Sequence, residues 1–111
     1  MIDVDEKKVK EFYENKEIII NDRVYKKLKT TYKQALKFVG YIQKLENDKM
    51  QIGSSDWFKM EQELFKFFTF EDMQVSKIPE HFEKYTEDYF PFIGYAIGVL
   101  CFPFTKENRI N

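Results

Sequence analysis

The chain has 111 residues and a mass of 13.5 kDa, with 43% apolar and 33% charged side chains. That balance fits one globular domain, residues 1–111, and excludes a disordered or collagen-like polymer. Eighteen basic residues against nineteen acidic leave a net charge of −1, which removes the general electrostatic drive towards phosphates, and a single cysteine excludes an internal disulfide framework and a multi-cysteine zinc site.

The N-terminus, Met1 to Glu6, is acidic and has no apolar leader pattern, so no signal peptide is expected. Residues 3–15 predict a short helix. Asp3 and Glu6 stand at capping-box spacing, and Val9, Phe12 and Tyr13 recur at helical spacing. Residues 17–28 predict a β-hairpin. Ile18, Ile19 and Ile20 are β-branched, and Asn21-Asp22 can supply a two-residue turn before Val24 and Tyr25. Residues 31–48 predict the clearest helix, with Thr31 and Gln34 as a capping box and a broad stripe from Tyr32 to Leu45. Gly40 lies inside it and costs roughly 1 kcal/mol against Ala, which a close helix crossing would explain.

A loop follows from Asn47 to Ser55, then a third helix over 56–68 carrying Trp57, Met60, Leu64, Phe65 and Phe68. Residues 69–78 read as a polar connection. Pro79 suits the start of a short helix over 79–86, and residues 87–102 predict a last helix stopped by Pro103. The apolar stretch from Tyr89 to Phe104, interrupted by Pro91 and Pro103, is too short and broken for a bilayer span. No internal repeat is evident. The fold class is mainly α: a small helical bundle with one short N-terminal β-hairpin as a minor β component. Phe38, Ile42, Leu64, Phe68, Ile97 and Leu100 are the expected core.

Few residues invite chemistry. His81 is the single histidine, with Glu80, Glu83, Glu87 and Asp88 nearby. A metal or acid–base cluster is one reading. A solvated acidic helix face is the stronger one, because no second His or Cys lies near in sequence. Cys101 sits among Val99, Leu100, Phe102 and Phe104, an apolar shell that keeps a thiol inert. Gly94 and Gly98 share one helix face and permit tight packing inside the fold. No glycine-rich phosphate loop is present. The expectation is a protein that is not an enzyme, with no catalytic residue, no cofactor and no metal.

Charge and aromatics point to binding. Residues 23–37 hold Arg23, Lys26, Lys27, Lys29, Lys33 and Lys37 with no acid, and Tyr25 and Tyr32 could stack on bases. Against nucleic acid, sixteen of the eighteen basic residues are lysine, whereas base readout favours arginine. Twelve Phe, seven Tyr and one Trp exceed what a small core needs. A surplus of aromatic surface marks a protein-binding face. The expected partner-binding residues are Trp57, Phe58, Phe67 and Phe70, with Lys26, Lys29 and Lys33 as a basic flank.

The stretch from Glu17 through Ile18-Ile19-Ile20, Asn21-Asp22 and Arg23-Val24-Tyr25 to Lys26 leads into the helix at Thr31. A helical remainder ends in Pro103-Phe104. This layout resembles the small tail assembly chaperones of long-tailed bacteriophages. The resemblance implies a non-catalytic binder that shields a hydrophobic segment of a tail protein, while the missing leader pattern and the lone Cys101, which fits a reducing compartment, lead to the expectation of a cytoplasmic protein of the bacterial host cell with no membrane partner. A homo-oligomer is compatible with it. The alternatives are a phage inhibitor of a host defence or replication protein, of anti-CRISPR type, in which Glu80–Asp88 would mimic DNA, or a helical immunity protein or antitoxin.

Overall fold

The first helix, α1 (Glu6–Asn15), starts where Asp5 accepts a hydrogen bond from the Lys7 backbone N–H at 2.9 Å. Its carboxylate suits the positive helix end. The capping role expected of Asp3 lies outside the described residues. The computed structural model describes the backbone of residues 4–110 and the side chains of residues 4–105. Strands β1 (Glu17–Ile20) and β2 (Arg23–Lys27) form the expected antiparallel hairpin, with Asn21 at φ 49° and Asp22 at φ 67°. Two successive positive φ values match the right-handed twist of the strands. Helix α2 (Tyr32–Glu46) opens with the full capping box between Thr31 and Gln34.

Helix α3 (Ser55–Phe65) is capped by Ser54, whose hydroxyl accepts from the Trp57 N–H at 3.2 Å. It ends before the expected limit at residue 68, because Phe68 turns into a strand. Strands β3 (Phe68–Phe70) and β4 (Met73–Gln74) make a second hairpin around Glu71 at φ 50° and Asp72 at φ 66°. The polar connection expected over 69–78 is thereby corrected, and so is the single-hairpin fold class. The sheet is four-stranded and antiparallel, in the order β1-β2-β3-β4, and the fold is helix-dominated α+β. Helix followed by hairpin occurs twice, as α1–β1–β2 and α3–β3–β4, although the sequence shows no repeat.

Register puts Ile18, Tyr25 and Phe70 in one row on the inner face, which ends at the exposed Met73 opposite Phe70. Ile18, Tyr25 and Phe68 are fully buried there. An isolated hairpin is marginal in water, so β3 and β4 supply the neighbours that β2 needs.

A 3₁₀ turn (Val75–Lys77), the one-turn helix α4 (His81–Lys84) and a second 3₁₀ turn (Thr86–Asp88) lead into α5 (Tyr89–Ile110). Helix α5 is the centre of the fold and packs on α1, α2, α3 and β1. It runs through Pro103, so the expected stop there is corrected. Pro91 lies in its first turn, where the missing N–H costs nothing. By length and composition, Thr86–Thr105 is long and apolar enough to cross a membrane, with mean hydropathy 1.2, which corrects the expectation of a stretch too short and broken to span; half of it is buried inside the fold. Of the expected core, Phe38, Leu64, Phe68, Ile97 and Leu100 are buried and Ile42 is half-buried.

The glycines divide sharply. A Cβ on Gly98 would lie 3.2 Å from a Val9 methyl, so α1 crosses α5 there. A Cβ on Gly40 would meet nothing within 4 Å, so the crossing expected at Gly40 is absent.

Candidate partner-binding surface

One end of the sheet is tied to the start of α5 by a buried polar network. Arg23 leaves the first hairpin turn and holds Asp88 at two points, Nε to Oδ2 at 2.6 Å and an Nη nitrogen to Oδ1 at 2.7 Å. Its guanidinium also donates to Glu87 at 2.8 Å and lies 4.0 Å over the Tyr85 ring. Asn21 donates to Asp88 at 2.8 Å, and the Tyr25 hydroxyl donates to Asp88 Oδ2 at 2.8 Å. With that proton committed, the Tyr25 oxygen accepts from His81 Nε2 at 2.8 Å, which assigns a ring proton to Nε2.

The charges follow the geometry. Burial opposes ionisation of Asp88, but hydrogen bonds from Arg23, Asn21 and Tyr25 outweigh it and hold its carboxyl below the usual range. The Asp88 hydrogen bond raises the Arg23 pKa further above its ordinary value. Burial, then the hydrogen bond to Asp88, raises Tyr25 well beyond the usual phenol range. Burial lowers His81, so the ring stays neutral. No buried side-chain N or O atom among the described residues lacks a partner.

The expected solvated acidic face holds for three of its four acids and is corrected at Asp88 and His81. Glu80, Glu83 and Glu87 are exposed, but His81 and Asp88 are buried. Among the described residues no group of three or more His, Cys, Asp or Glu is placed to hold a metal. Cys101 is buried on α5, and burial pushes its thiol up to about 12.

The residues expected to bind a partner do not share one surface. Lys26 and Phe70 meet in an open cleft of about 460 Å³ between the two hairpin turns, with Arg23, Asp72 and Tyr85. Phe67 is half-buried, edge-on to Phe38 in the groove between α2 and α3. Lys29 and Lys33 are exposed at the start of α2. Trp57 is 1% exposed, and its place on a binding face is corrected: it is core. Its indole Nε1 donates to the Tyr89 hydroxyl at 2.9 Å, and Tyr89 in turn donates to Glu61. That link brings the starts of α3 and α5 together. Phe58, next to Trp57, is 48% exposed, and Phe90, next to Tyr89, is 47% exposed.

Sequence reasoning missed the Arg23–Asp88 network and the exposed pair Tyr32 and Leu36 on α2. A clue to the network stood in the chain. Arg23 is one of only two arginines, and arginine among lysines marks two-point recognition of a carboxylate. No protein-family model, curated protein or solved structure matches the chain.

Proposed function

We propose that the chain is a non-catalytic protein-binding module whose aromatic contacts are Phe58 on α3 and Phe90 on α5. The observation that carries this reading is the Trp57–Tyr89 link: it ties together the starts of the two helices that carry the half-exposed Phe58 and Phe90. Rigid aromatic side chains contribute much of the energy at protein interfaces, because they bury large area with little entropy loss. The titratable side chains of the Asp88 network are consumed by one another, which supports a structural role for them.

The tail-assembly-chaperone reading belongs to the same proposal, since an exposed aromatic face can cover a hydrophobic segment of a tail protein. The DNA-mimicking inhibitor is disfavoured by one contact: Arg23 neutralises Asp88 and pairs with Glu87, two of the four acids that mimicry would use. The test is copurification from the native host with Phe58→Ser/Phe90→Ser beside the natural chain, read by mass spectrometry. A partner held by the natural chain and lost by the folded variant is the expected result. Equal recovery with both overturns the reading, and so does the absence of any specific partner.

A further inference from the structure

Helix α2 carries an outward face that nothing in the described chain covers. Ala35 and Phe38 point into the core. At about 100° per residue, Gly40 then falls near the middle of the opposite side. Tyr32, 66% exposed, and Leu36, 44% exposed, lie to one flank of it, and Lys33, Lys37 and Lys44 to the other.

Gly40 has no role inside this fold. A Cβ there would meet nothing within 4 Å, and its φ lies outside the left-handed region that favours glycine. Glycine in a helix interior lowers stability, so its presence calls for a use. The use it offers is close approach of a second backbone between flanking side chains. From Tyr32 to Lys44 the face is about 18 Å long, room for some three turns of a partner helix.

The charge says which kind of helix. Among the described residues Lys33 and Lys44 make no ion pair, and Lys37 meets Glu63 only at 3.4 Å. Glu46 is the only acid within α2. A second copy docked through the same face would bring these lysines no carboxylate, and in antiparallel register it would set lysine against lysine, where like charges repel. We propose that this face docks an acidic amphipathic helix of another protein. Its backbone crosses at Gly40, its apolar stripe covers Tyr32 and Leu36, and its carboxylates meet Lys33, Lys37 and Lys44. The face belongs to α2, whereas Phe58 and Phe90 stand on α3 and α5, and its fate does not depend on the reading given to those two residues.

The test pans the intact protein against a displayed library of helical peptides with a fixed apolar stripe and flanks randomised between Glu and Lys. Enrichment of Glu-flanked peptides is expected, with amide shifts in labelled protein centred on Gly40. The enriched peptide should lose at least tenfold in affinity on Gly40→Leu, while that variant melts no lower than the natural chain. Lys33→Glu/Lys37→Glu should lose binding as well, and Phe58→Ser should keep it. Enrichment of Lys flanks, no enrichment, or equal affinity of Gly40→Leu overturns the proposal. Tighter binding of a 20-base-pair DNA duplex, or self-association abolished by Gly40→Leu, also overturns it, in favour of nucleic acid or a second copy.

Discussion

Arg23 grips Asp88 across 65 residues of chain, through paired contacts of 2.6 and 2.7 Å. One residue leaves the first hairpin turn and the other precedes the central helix. The pair therefore fastens the sheet to the start of α5, beside the packing of the Tyr25 ring on Phe92.

Removing either partner should hurt more than removing both. Asp88 is fully buried, and its loss takes the acceptor from Asn21 and Tyr25 and leaves Arg23 hydrogen-bonded to Glu87 alone. Asp88→Ala should lower unfolding free energy by about 3 kcal/mol, the range seen when a buried pair loses one member. Urea titration at pH 7 checks this. Arg23→Met/Asp88→Leu should be less destabilised than the sum of the single variants, and simple additivity would show that the two residues are not coupled.

Stability should also fall as the solution turns mildly acidic. His81 is held neutral, with its folded pKa below the ordinary value of about 6.5. The unfolded chain then binds more protons as pH drops below that value, so unfolding is favoured on the acid side. Asp88, also depressed, adds its own loss lower down, below about 3.9. The urea midpoint should decrease between about pH 7.5 and 5, and His81→Gln should flatten that slope. An unchanged slope in the variant would place the titration elsewhere.

The two glycines should answer substitution with opposite signs. Gly40→Ala adds helix propensity in open space and should stabilise by about 0.5–1 kcal/mol. Gly98→Val pushes branched carbons into Val9, a stiff β-branched side chain that is itself buried. A loss of about 1–3 kcal/mol is expected there, and Val9→Ala in the same chain should recover part of it. Thermal melts of the three variants decide the matter.

Adjacent aromatics on α3 should separate folding from binding. Trp57→Ala empties a fully buried site and breaks the bond to Tyr89, at a cost of about 3–5 kcal/mol. Phe58→Ser changes a half-exposed side chain and should stay within about 0.5 kcal/mol of the natural chain. Comparable losses in both would mean that Phe58 is structural.

Much of the local structure was written in the sequence. Asn21-Asp22, the Thr31–Gln34 capping box, and the periodic stripes of α2 and α5 act through neighbours a few residues apart, so the chain alone determines them. The second hairpin was not legible, because β3 and β4 are five residues in total and take their register from β2. The run Phe65 to Phe70 reads equally as helix or strand until Tyr25 is set beside Phe70. Burial of Asp88 and His81 was hidden for the same reason: their partners, Arg23 and Tyr25, lie far away in sequence, and local charge density suggested a wet surface instead. The aromatic surplus was visible, but which aromatics remain outside was not. Trp57 went inside and Phe58 outside because α3 turns by about 100° per residue, and only the position of α5 determines which side of that helix is covered.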